Sequence, residues 1–173
     1  IEDIIRLSRL DEGVRGEVTP VDLTALIQHC VQKLTPAAQN AQVSISASGN
    51  DPVLISGDHA LLEEMLTNLL ENGIKYNHAG GYVRARAEMA DGRAVVTVAD
   101  NGVGIAPEDQ QRVFERFYRV DKSRSKQTGG TGLGLSIVKH GAQVHHAQIA
   151  MQSALGEGTT ITLTFPAQSS GKK

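Results

Sequence analysis

Three polar side chains that suit a metal–phosphate site follow one another at helical spacing near the middle of the chain. Asn68, Asn72 and Lys75 are separated by four and three residues, and leucines fill the complementary positions. In a helix these steps place the three side chains on one face. Two amide oxygens and an ammonium group on one stripe are able to hold Mg²⁺ with a polyphosphate, because Mg²⁺ takes few protein oxygens and completes its octahedron with water and phosphate. Taken alone, such a stripe is more often only the solvated face of a surface helix.

A second candidate is the run Asp100-Asn-Gly-Val-Gly-Ile105, which directly follows an apolar segment at 95–99. A carboxylate at the end of a strand accepts hydrogen bonds from an exocyclic amine such as N6 of adenine. Gly102 and Gly104 permit tight backbone turns and close approach of a ligand. An ordinary Asx-turn built from Asp-Asn-Gly accounts for the same residues equally well.

A third candidate is the glycine-rich run at 129–135, which leads directly into a predicted helix. The backbone N–H groups of such a loop, with those of the helix N-terminus, form a site suited to phosphates. No Gly-Lys-Ser/Thr follows and no strand precedes the run, so it is neither a P-loop nor a dinucleotide fingerprint. A flexible linker is the alternative, which Leu133 and Leu135 between the glycines disfavour.

The elements that would position these residues alternate between helices and strands. Apolar residues at steps of three and four predict helices, and alternating residues predict strands. Helices are predicted at 20–41, 58–76, 108–114 and 133–144, and strands at 43–48, 53–55, 82–89, 94–99, 148–152 and 160–165. Asp58 is a predicted N-cap, and residues 90–92 form a predicted hairpin turn. This order indicates an α/β sandwich with helices on one face of a mixed sheet.

Composition restricts the function further. Of the 173 residues 40% are hydrophobic, which supports one compact core. The net charge of −2 argues against nucleic acid as a general partner. Cys30, the single cysteine, excludes an internal disulfide, and no apolar run is long enough to cross a bilayer. The six histidines have no cysteine or carboxylate partners at metal-ligand spacing, so we expect them to be ordinary surface or partly buried residues.

Together, these motifs resemble those of the histidine kinase catalytic domain, which has the Bergerat ATP-binding fold. The matching segments are residues 68–76 for the N box, 100–104 for the G1 box, 114–119 for the F box, 130–135 for the G2 box and 156–159 for a final glycine motif. They follow the family's order across residues 58–166. The resemblance implies a two-layer α/β sandwich, a mixed sheet with helices on one face and a mobile ATP lid.

The resemblance also implies a ligand, Mg²⁺-ATP, and the residues that contact it. These residues are Asn68, Asn72, Lys75, Tyr76, Asp100, Gly102, Gly104, Ile105, Arg119, Gly130, Thr131, Gly132, Leu133, Gly134, Leu135 and Thr159. Asn72, assisted by Asn68, would ligate Mg²⁺. Lys75 and Arg119 would contact the phosphates, with Arg119 reaching the terminal one from the lid.

The remaining implied roles concern the base and the lid. Asp100 would bind the adenine amine, and Tyr76 would pack on the ring. The glycines of the G2 box would wrap the phosphate chain. Phe114 and Phe117 would dock the lid, which we expect at residues 106–130, onto the core.

Three positions depart from the family's usual pattern. Gly73 stands where alanine is usual, and Asn77 replaces a common threonine. His145-His146-Ala147 stands where His-Gly-Gly is usual, which puts the backbone turn there in question. None of these positions belongs to the implied nucleotide contacts.

The resemblance further implies a domain layout and partners. Residues 1–13 would be the C-terminal end of the second dimerisation helix, 14–20 a linker, 21–167 the catalytic domain and 168–173 a polar tail. Because the chain opens on an isoleucine, we expect a fragment whose acceptor histidine lies upstream, in its own dimerisation domain. The implied parent is a homodimer that passes phosphate to a response regulator. We expect a cytoplasmic location without membrane contact by this fragment, and a parent anchored in the bacterial inner membrane.

Three functions fit these observations. The first is a kinase that transfers the γ-phosphoryl group of ATP to histidine. The second is an ATP-hydrolysing clamp like the gyrase, Hsp90 or MutL relatives of this fold, which place a glutamate, as water-activating base, four residues before the Mg²⁺-binding asparagine. Anti-sigma serine kinases carry a glutamate there too, whereas this chain has Asn68, an amide that accepts no proton at neutral pH. The third is a pseudokinase that only binds, which the intact Asn72, Lys75 and Asp100 disfavour.

Overall fold

The computed structural model describes residues 16–114 and 134–168 of the chain. The strands are β1 (Val18–Asp22), β2 (Ser44–Ser48), β3 (Leu54–Asp58), β4 (Tyr82–Ala90), β5 (Arg93–Asp100), β6 (Gln148–Ala154) and β7 (Gly158–Thr164). The helices are α1 (Leu23–Ala41), α2 (His59–Lys75), α3 (Pro107–Gln110) and α4 (Gly134–Val144). No helix among the described residues is long and apolar enough to cross a membrane.

Five strands form one mixed sheet in the order β2-β4-β5-β7-β6. The β2–β4 pair is parallel, and the other three pairs are antiparallel. The predicted hairpin between β4 and β5 is confirmed. Its two turn residues have positive φ angles, 53° at Asp91 and 79° at Gly92, as expected of a two-residue turn between twisted strands.

The helices pack on one face of this sheet. Inward positions of the central strands hold small and branched apolar residues, such as Val83, Val96 and Leu163, which join the leucines of α2 in one hydrophobic core. The intervening positions are exposed or half-buried, as the alternation of side chains along a strand requires. The predicted α/β sandwich with helices on one face of a mixed sheet is therefore confirmed.

Helix α2 carries the predicted metal–phosphate stripe and begins where the sequence predicts. The Oδ1 atom of Asp58 accepts a hydrogen bond from the N–H group of Leu61 at 3.2 Å, which satisfies one donor of the first turn. The helix ends at Lys75, and the N–H group of the following residue, the C-cap Tyr76, donates to the carbonyl oxygen of Asn72 at 3.1 Å. One side of α2 is buried in the core throughout its length.

Some local features differ from the sequence-based expectations. Residues 18–22 form a strand that pairs antiparallel with β3 in a separate two-stranded sheet, where the sequence predicts a linker as far as residue 20 and a helix from residue 20 onward. The helix begins only at Leu23. The alternation in this segment is obscured by Pro20, which is exposed. The helix predicted at 108–114 is shorter and spans Pro107–Gln110, followed by a turn.

The turn at His145-His146-Ala147 forms without the glycines that the family resemblance implies there. His146 adopts a φ angle of 57°, in the left-handed region that favours glycine. Its N–H group donates to the carbonyl oxygen of Gln143 at 3.1 Å, and Ala147 donates to Ala142 at 2.8 Å. The chain therefore makes this turn with a strained histidine.

Several predicted site residues lie outside the described residues. They are Arg119, Phe117, Gly130, Thr131, Gly132 and Leu133, which all fall between 115 and 133. Most of the predicted lid and the whole segment 1–13 also fall outside.

Candidate functional site

Asp100 lies at the end of β5 with its carboxylate held by two backbone donors. Its Oδ1 atom accepts hydrogen bonds from the N–H groups of Gly102 at 2.9 Å and Thr159 at 3.2 Å. Within the described part of the chain, both bonds that reach this carboxylate end on Oδ1, so Oδ2 is the oxygen that is able to accept a donor from a ligand. Burial raises the pKa of Asp100, and the two backbone hydrogen bonds oppose that rise.

The loop that follows Asp100 packs closely against its neighbours because two of its residues are glycines. A Cβ atom on Gly102 would collide with the carbonyl oxygen of Tyr76, and one on Gly104 would collide with the carbonyl oxygen of Ala154. Gly104 also has a φ angle of +75°, where other residues are strained. The glycines predicted to shape an adenine pocket thus also let this loop contact the end of α2 and the β6–β7 hairpin.

The end of α2 is joined to this loop through backbone and amide groups. The N–H group of Val103 donates to the carbonyl oxygen of Tyr76 at 2.9 Å. The Nδ2 atom of Asn77 donates to the carbonyl oxygens of Gly73 at 3.1 Å and Tyr82 at 3.0 Å. The asparagine that replaces the family's common threonine therefore ties α2 to β4.

The three residues of the predicted metal–phosphate stripe differ in exposure. Asn68 is 9% exposed, Asn72 is half-buried and Lys75 is exposed in the last turn. The Nδ2 atom of Asn68 donates to the carbonyl oxygen of Glu64 at 2.9 Å, which leaves its Oδ1 atom as the acceptor. That Oδ1 atom faces the start of α4, because a Cβ atom on Gly134 would lie 3.3 Å from it. The stripe is therefore not simply a solvated helix face.

The fold brings the described parts of four motifs to one end of the molecule. Asn68 meets Gly134 from the G2 box, Tyr76 meets the loop after Asp100, and Thr159 from the final glycine motif donates to Asp100. Leu135 packs against the hydrophobic core, and Phe114 is half-buried. Amide and carboxylate oxygens with a nearby lysine suit a nucleotide and its Mg²⁺.

Two residues that the sequence analysis does not single out bond directly to this site. Ser153 Oγ accepts a hydrogen bond from the N–H group of Ile105 at 2.8 Å, and the Nε2 atom of Gln110 donates to the Ile105 carbonyl oxygen at 2.9 Å. The sequence does contain a signal for Ser153. Ser153 follows Ile149 and Met151 at alternate positions of a strand, so it lies on the same inward face, where a hydroxyl group is unexpected. Gln110 carries no comparable signal.

The sequence matches the family model described as histidine kinase-, DNA gyrase B- and HSP90-like ATPase over residues 57–169, well over half of the chain. It is 42% identical over 167 residues to the sensor-like histidine kinase SenX3 of Mycolicibacterium smegmatis, which covers 96% of this chain and 44% of that protein. It is 38% identical over 173 residues to the phosphate regulon sensor protein PhoR of Pseudomonas aeruginosa, covering 97% of this chain and 38% of that protein. The chain therefore spans less than half the length of these relatives.

Solved structures show the same architecture. Full-length ShkA in complex with AMPPNP superposes with a TM-score of 0.82 at 28% identity, covering 96% of this chain and 35% of that one. The nucleotide-free catalytic domain of histidine kinase ThkA superposes with a TM-score of 0.75 at 22% identity, covering 88% of this chain and 97% of that one. The latter likeness supports the fold alone.

Proposed function

The chain belongs to the family of histidine kinase-, DNA gyrase B- and HSP90-like ATPases, and we propose that it binds Mg²⁺-ATP and transfers the γ-phosphoryl group to a histidine. Within that family it is of the sensor histidine kinase type, because its similarity to those kinases extends over almost the whole chain. The acceptor histidine belongs to a dimerisation domain of a longer protein. A response-regulator aspartate then receives the phosphoryl group.

The observation that carries this proposal is the geometry of Asp100. Two backbone N–H groups fix Oδ1 at the end of a buried strand, and Oδ2 is left for a ligand donor. An adenine base offers such a donor at N6, and the carboxylate pairs with it in a charge-assisted hydrogen bond. Guanine presents an oxygen at the corresponding atom, which the carboxylate repels.

The polar residues on one face of α2 would bind the metal and the phosphates. Asn72, with Asn68 beside it, supplies amide oxygens of the kind that Mg²⁺ accepts, and Lys75 supplies a positive charge at the helix end. Mg²⁺ held by these oxygens would neutralise part of the phosphate charge. We assign Arg119 and the G2 glycines to the phosphates on the basis of their motifs. In such a transfer the protein mainly positions groups and offsets charge.

The proposal includes a domain layout and a location. Residues 1–13 end a dimerisation helix, 14–20 lead from it into the catalytic domain at 21–167, with 18–20 already in strand β1, and 168–173 are a polar tail. The parent acts as a homodimer whose kinase domain works in the cytoplasm, with an anchor in the inner membrane. Support for this layout comes from the relatives, which are more than twice as long as this chain.

An ATP-hydrolysing clamp is the second candidate, and Asn68 argues against it. Its side chain is an amide that donates to the Glu64 carbonyl oxygen, so it cannot take a proton from water. We expect the purified chain to hydrolyse ATP very slowly. Turnover of several per second would revive the clamp.

The deciding experiment is phosphotransfer in trans. The chain is incubated with Mg²⁺ and γ-labelled ATP, with and without the dimerisation domain of its parent protein. We expect acid-labile phosphohistidine on the added domain and none on this chain, because an acceptor histidine in this family precedes an acidic residue and none of the six here does. Label on the chain itself would contradict the proposal.

Asn72→Ala should sharply weaken this transfer, because it removes a proposed Mg²⁺ ligand. Asn40→Ala is the matched control, since Asn40 is an exposed asparagine at the end of α1 and belongs to none of the site motifs. Undiminished transfer by the Asn72 variant would show that the metal site is misplaced. A nucleotide titration of the same proteins, compared with the transfer assay, identifies a chain that only binds, because such a chain would bind nucleotide without any transfer.

A further inference from the structure

We propose that Ser153 and Gln110 are positioning residues that hold the loop 100–105 and thereby set the preference for adenine over guanine. The inference rests on the proposed function, because it assigns Asp100 to the adenine amine. Neither residue belongs to the motifs that carry the family resemblance. Both act through the backbone of Ile105.

The backbone of Ile105 is pinned at both of its polar groups by side chains. Its N–H group donates to Ser153 Oγ at 2.8 Å, and its carbonyl oxygen accepts from the Nε2 atom of Gln110 at 2.9 Å. The same Nε2 atom donates its second proton to the carbonyl oxygen of Ser153 at 3.0 Å. One amide group therefore bridges the loop and strand β6.

From Ser153 a continuous path of hydrogen bonds leads to the Asp100 carboxylate. Ser153 Oγ donates to the carbonyl oxygen of Gly158 at 2.9 Å and lies 2.8 Å from the Oγ1 atom of Thr159. Because a serine hydroxyl has one proton, the Thr159 hydroxyl is the donor in the second bond. The N–H group of Thr159 donates to Asp100 Oδ1. Both ends of the loop are thus tied to the same hairpin.

Other contacts fasten the loop between these ends. The N–H group of Gly156 donates to the carbonyl oxygen of Val103 at 2.8 Å, and Gly104 lies close against Ala154. Three successive loop residues therefore contact the β6–β7 hairpin. Since β6 is an edge strand of its sheet, this attachment also fixes the end of the hairpin.

The hydrogen bonds of the Ser153 hydroxyl group indicate that this residue does more than fill space in the core. It occupies an inward position of β6, in line with Ile149 and Met151, where an apolar side chain would stabilise the core more simply. The half-buried hydroxyl instead makes three hydrogen bonds, which is its full capacity. Such a group holds its partners at fixed distances, and here those partners set where the Asp100 carboxylate points.

The test uses size-matched changes at each residue. Ser153→Ala removes the acceptor of the Ile105 N–H group, whereas Ser153→Thr keeps a hydroxyl and should restore it. Gln110→Glu keeps the shape but removes both protons and sets a carboxylate against two carbonyl oxygens. Gln148→Ala and Gln111→Ala are the controls, because each alters an exposed glutamine, the first on strand β6 and the second next to Gln110.

Amide exchange, measured by NMR without nucleotide, tests whether Ser153 holds the backbone of Ile105. We expect the Ile105 amide to exchange at least about tenfold faster in Ser153→Ala than in wild type, since a lost hydrogen bond is worth roughly that factor. The Leu163 amide, at a buried position of the interior strand β7, serves as the internal reference. Equal acceleration at both amides would mean general loosening and would overturn the proposal, as would no acceleration at Ile105.

Displacement of a fluorescent ATP analogue by ATP and by GTP tests the consequence. For Ser153→Ala and Gln110→Glu we expect ATP affinity to fall about tenfold and the preference for ATP over GTP to fall with it. Ser153→Thr and both controls should keep the wild-type preference. An unchanged preference, with affinity for both nucleotides reduced equally, would overturn the positioning role. If wild type binds neither nucleotide, the proposed function fails, whatever the exchange data show.

Discussion

The imidazole of His145, just beyond the end of α4, accepts a hydrogen bond at Nε2 from the N–H group of Asp58 over 3.0 Å. Its Nδ1 atom lies 2.8 Å from the carbonyl oxygen of Gly141, so Nδ1 carries the proton of the neutral ring. Asp58 is also the N-cap of α2, and its Oδ2 atom accepts from the N–H group of Gly16 at 2.9 Å. One histidine thus joins the C-terminal side of α4 to the start of α2, and the start of α4 contacts the middle of α2 where Gly134 lies against Asn68.

Replacing this histidine should destabilise the protein. His145→Phe keeps a ring beside Phe165, whose centroid lies 6.2 Å away, but leaves the Asp58 N–H group without its acceptor. We expect the free energy of unfolding to fall by about 1–3 kcal/mol. Urea denaturation measures the change. His29→Phe, at a histidine whose side chain is 58% exposed, should change stability by less than about 0.5 kcal/mol. Equal effects of the two changes would refute the assigned role of His145.

Asp100→Asn should abolish nucleotide binding without destabilising the nucleotide-free protein. Because the pKa of Asp100 is raised in the folded state, the native protein holds this proton more tightly than the unfolded chain. The group's contribution to stability therefore falls as pH rises from the ordinary carboxyl range through the raised pKa. Asparagine carries no charge to desolvate and still offers Oδ1 to Gly102 and Thr159, while its amide group confronts the adenine amine.

Thermal unfolding between pH 4 and 8 and calorimetry with ATP test this pair of effects. The stability of the variant relative to wild type should increase across this range as pH rises. Unchanged ATP affinity would remove Asp100 from the adenine site. A variant that loses stability relative to wild type as pH rises would contradict the sign of the pKa shift.

The turn at His146 should become more stable with glycine. A left-handed backbone costs a non-glycine residue about 1–2 kcal/mol, and glycine's extra freedom in the unfolded chain returns about 0.5–1 kcal/mol of that. We expect His146→Gly to stabilise the protein by about 0.5–1 kcal/mol in urea denaturation. Ala147→Gly, next to it and not in the left-handed region, should destabilise. A loss of stability in His146→Gly would show that the exposed imidazole makes an important contact.

Gly73 should resist replacement by the alanine that the family usually has. A Cβ atom there would lie 2.9 Å from both methyl carbons of Val83. Overpacking of this kind costs about 1–3 kcal/mol and exceeds the gain in helix propensity of about 1 kcal/mol at most. We therefore expect Gly73→Ala to destabilise the protein and Val83→Ala to relieve part of that cost. A double-mutant cycle measures the coupling, and simple additivity would argue against the clash.

The sequence alone determined most of the elements and named the candidate site residues. Helix α2 and its cap at Asp58 follow from leucine spacing and a capping side chain, which are local properties. The hairpin at Asp91-Gly92 follows from residues that tolerate positive φ angles. Asp100, Asn68 and Gly134 are recognisable because their motifs have fixed residue types and spacing. The sequence did not predict strand β1, because its pairing with β3 is non-local and Pro20 interrupts the alternation of apolar and polar residues.

Only the tertiary structure decided how these residues are held. The contacts Ser153–Ile105, Thr159–Asp100 and His145–Asp58 join residues 48, 59 and 87 positions apart, so no local pattern encodes them. Hydrogen bonds and close backbone approaches depend on distances that are fixed only when the core has packed. For the same reason Gly73, which looks like a flaw in a helix, turns out to be the residue that fits against Val83. The residue types indicated which chemistry the site could perform, and the packing of α2, α4 and the β6–β7 hairpin determined the geometry of the site.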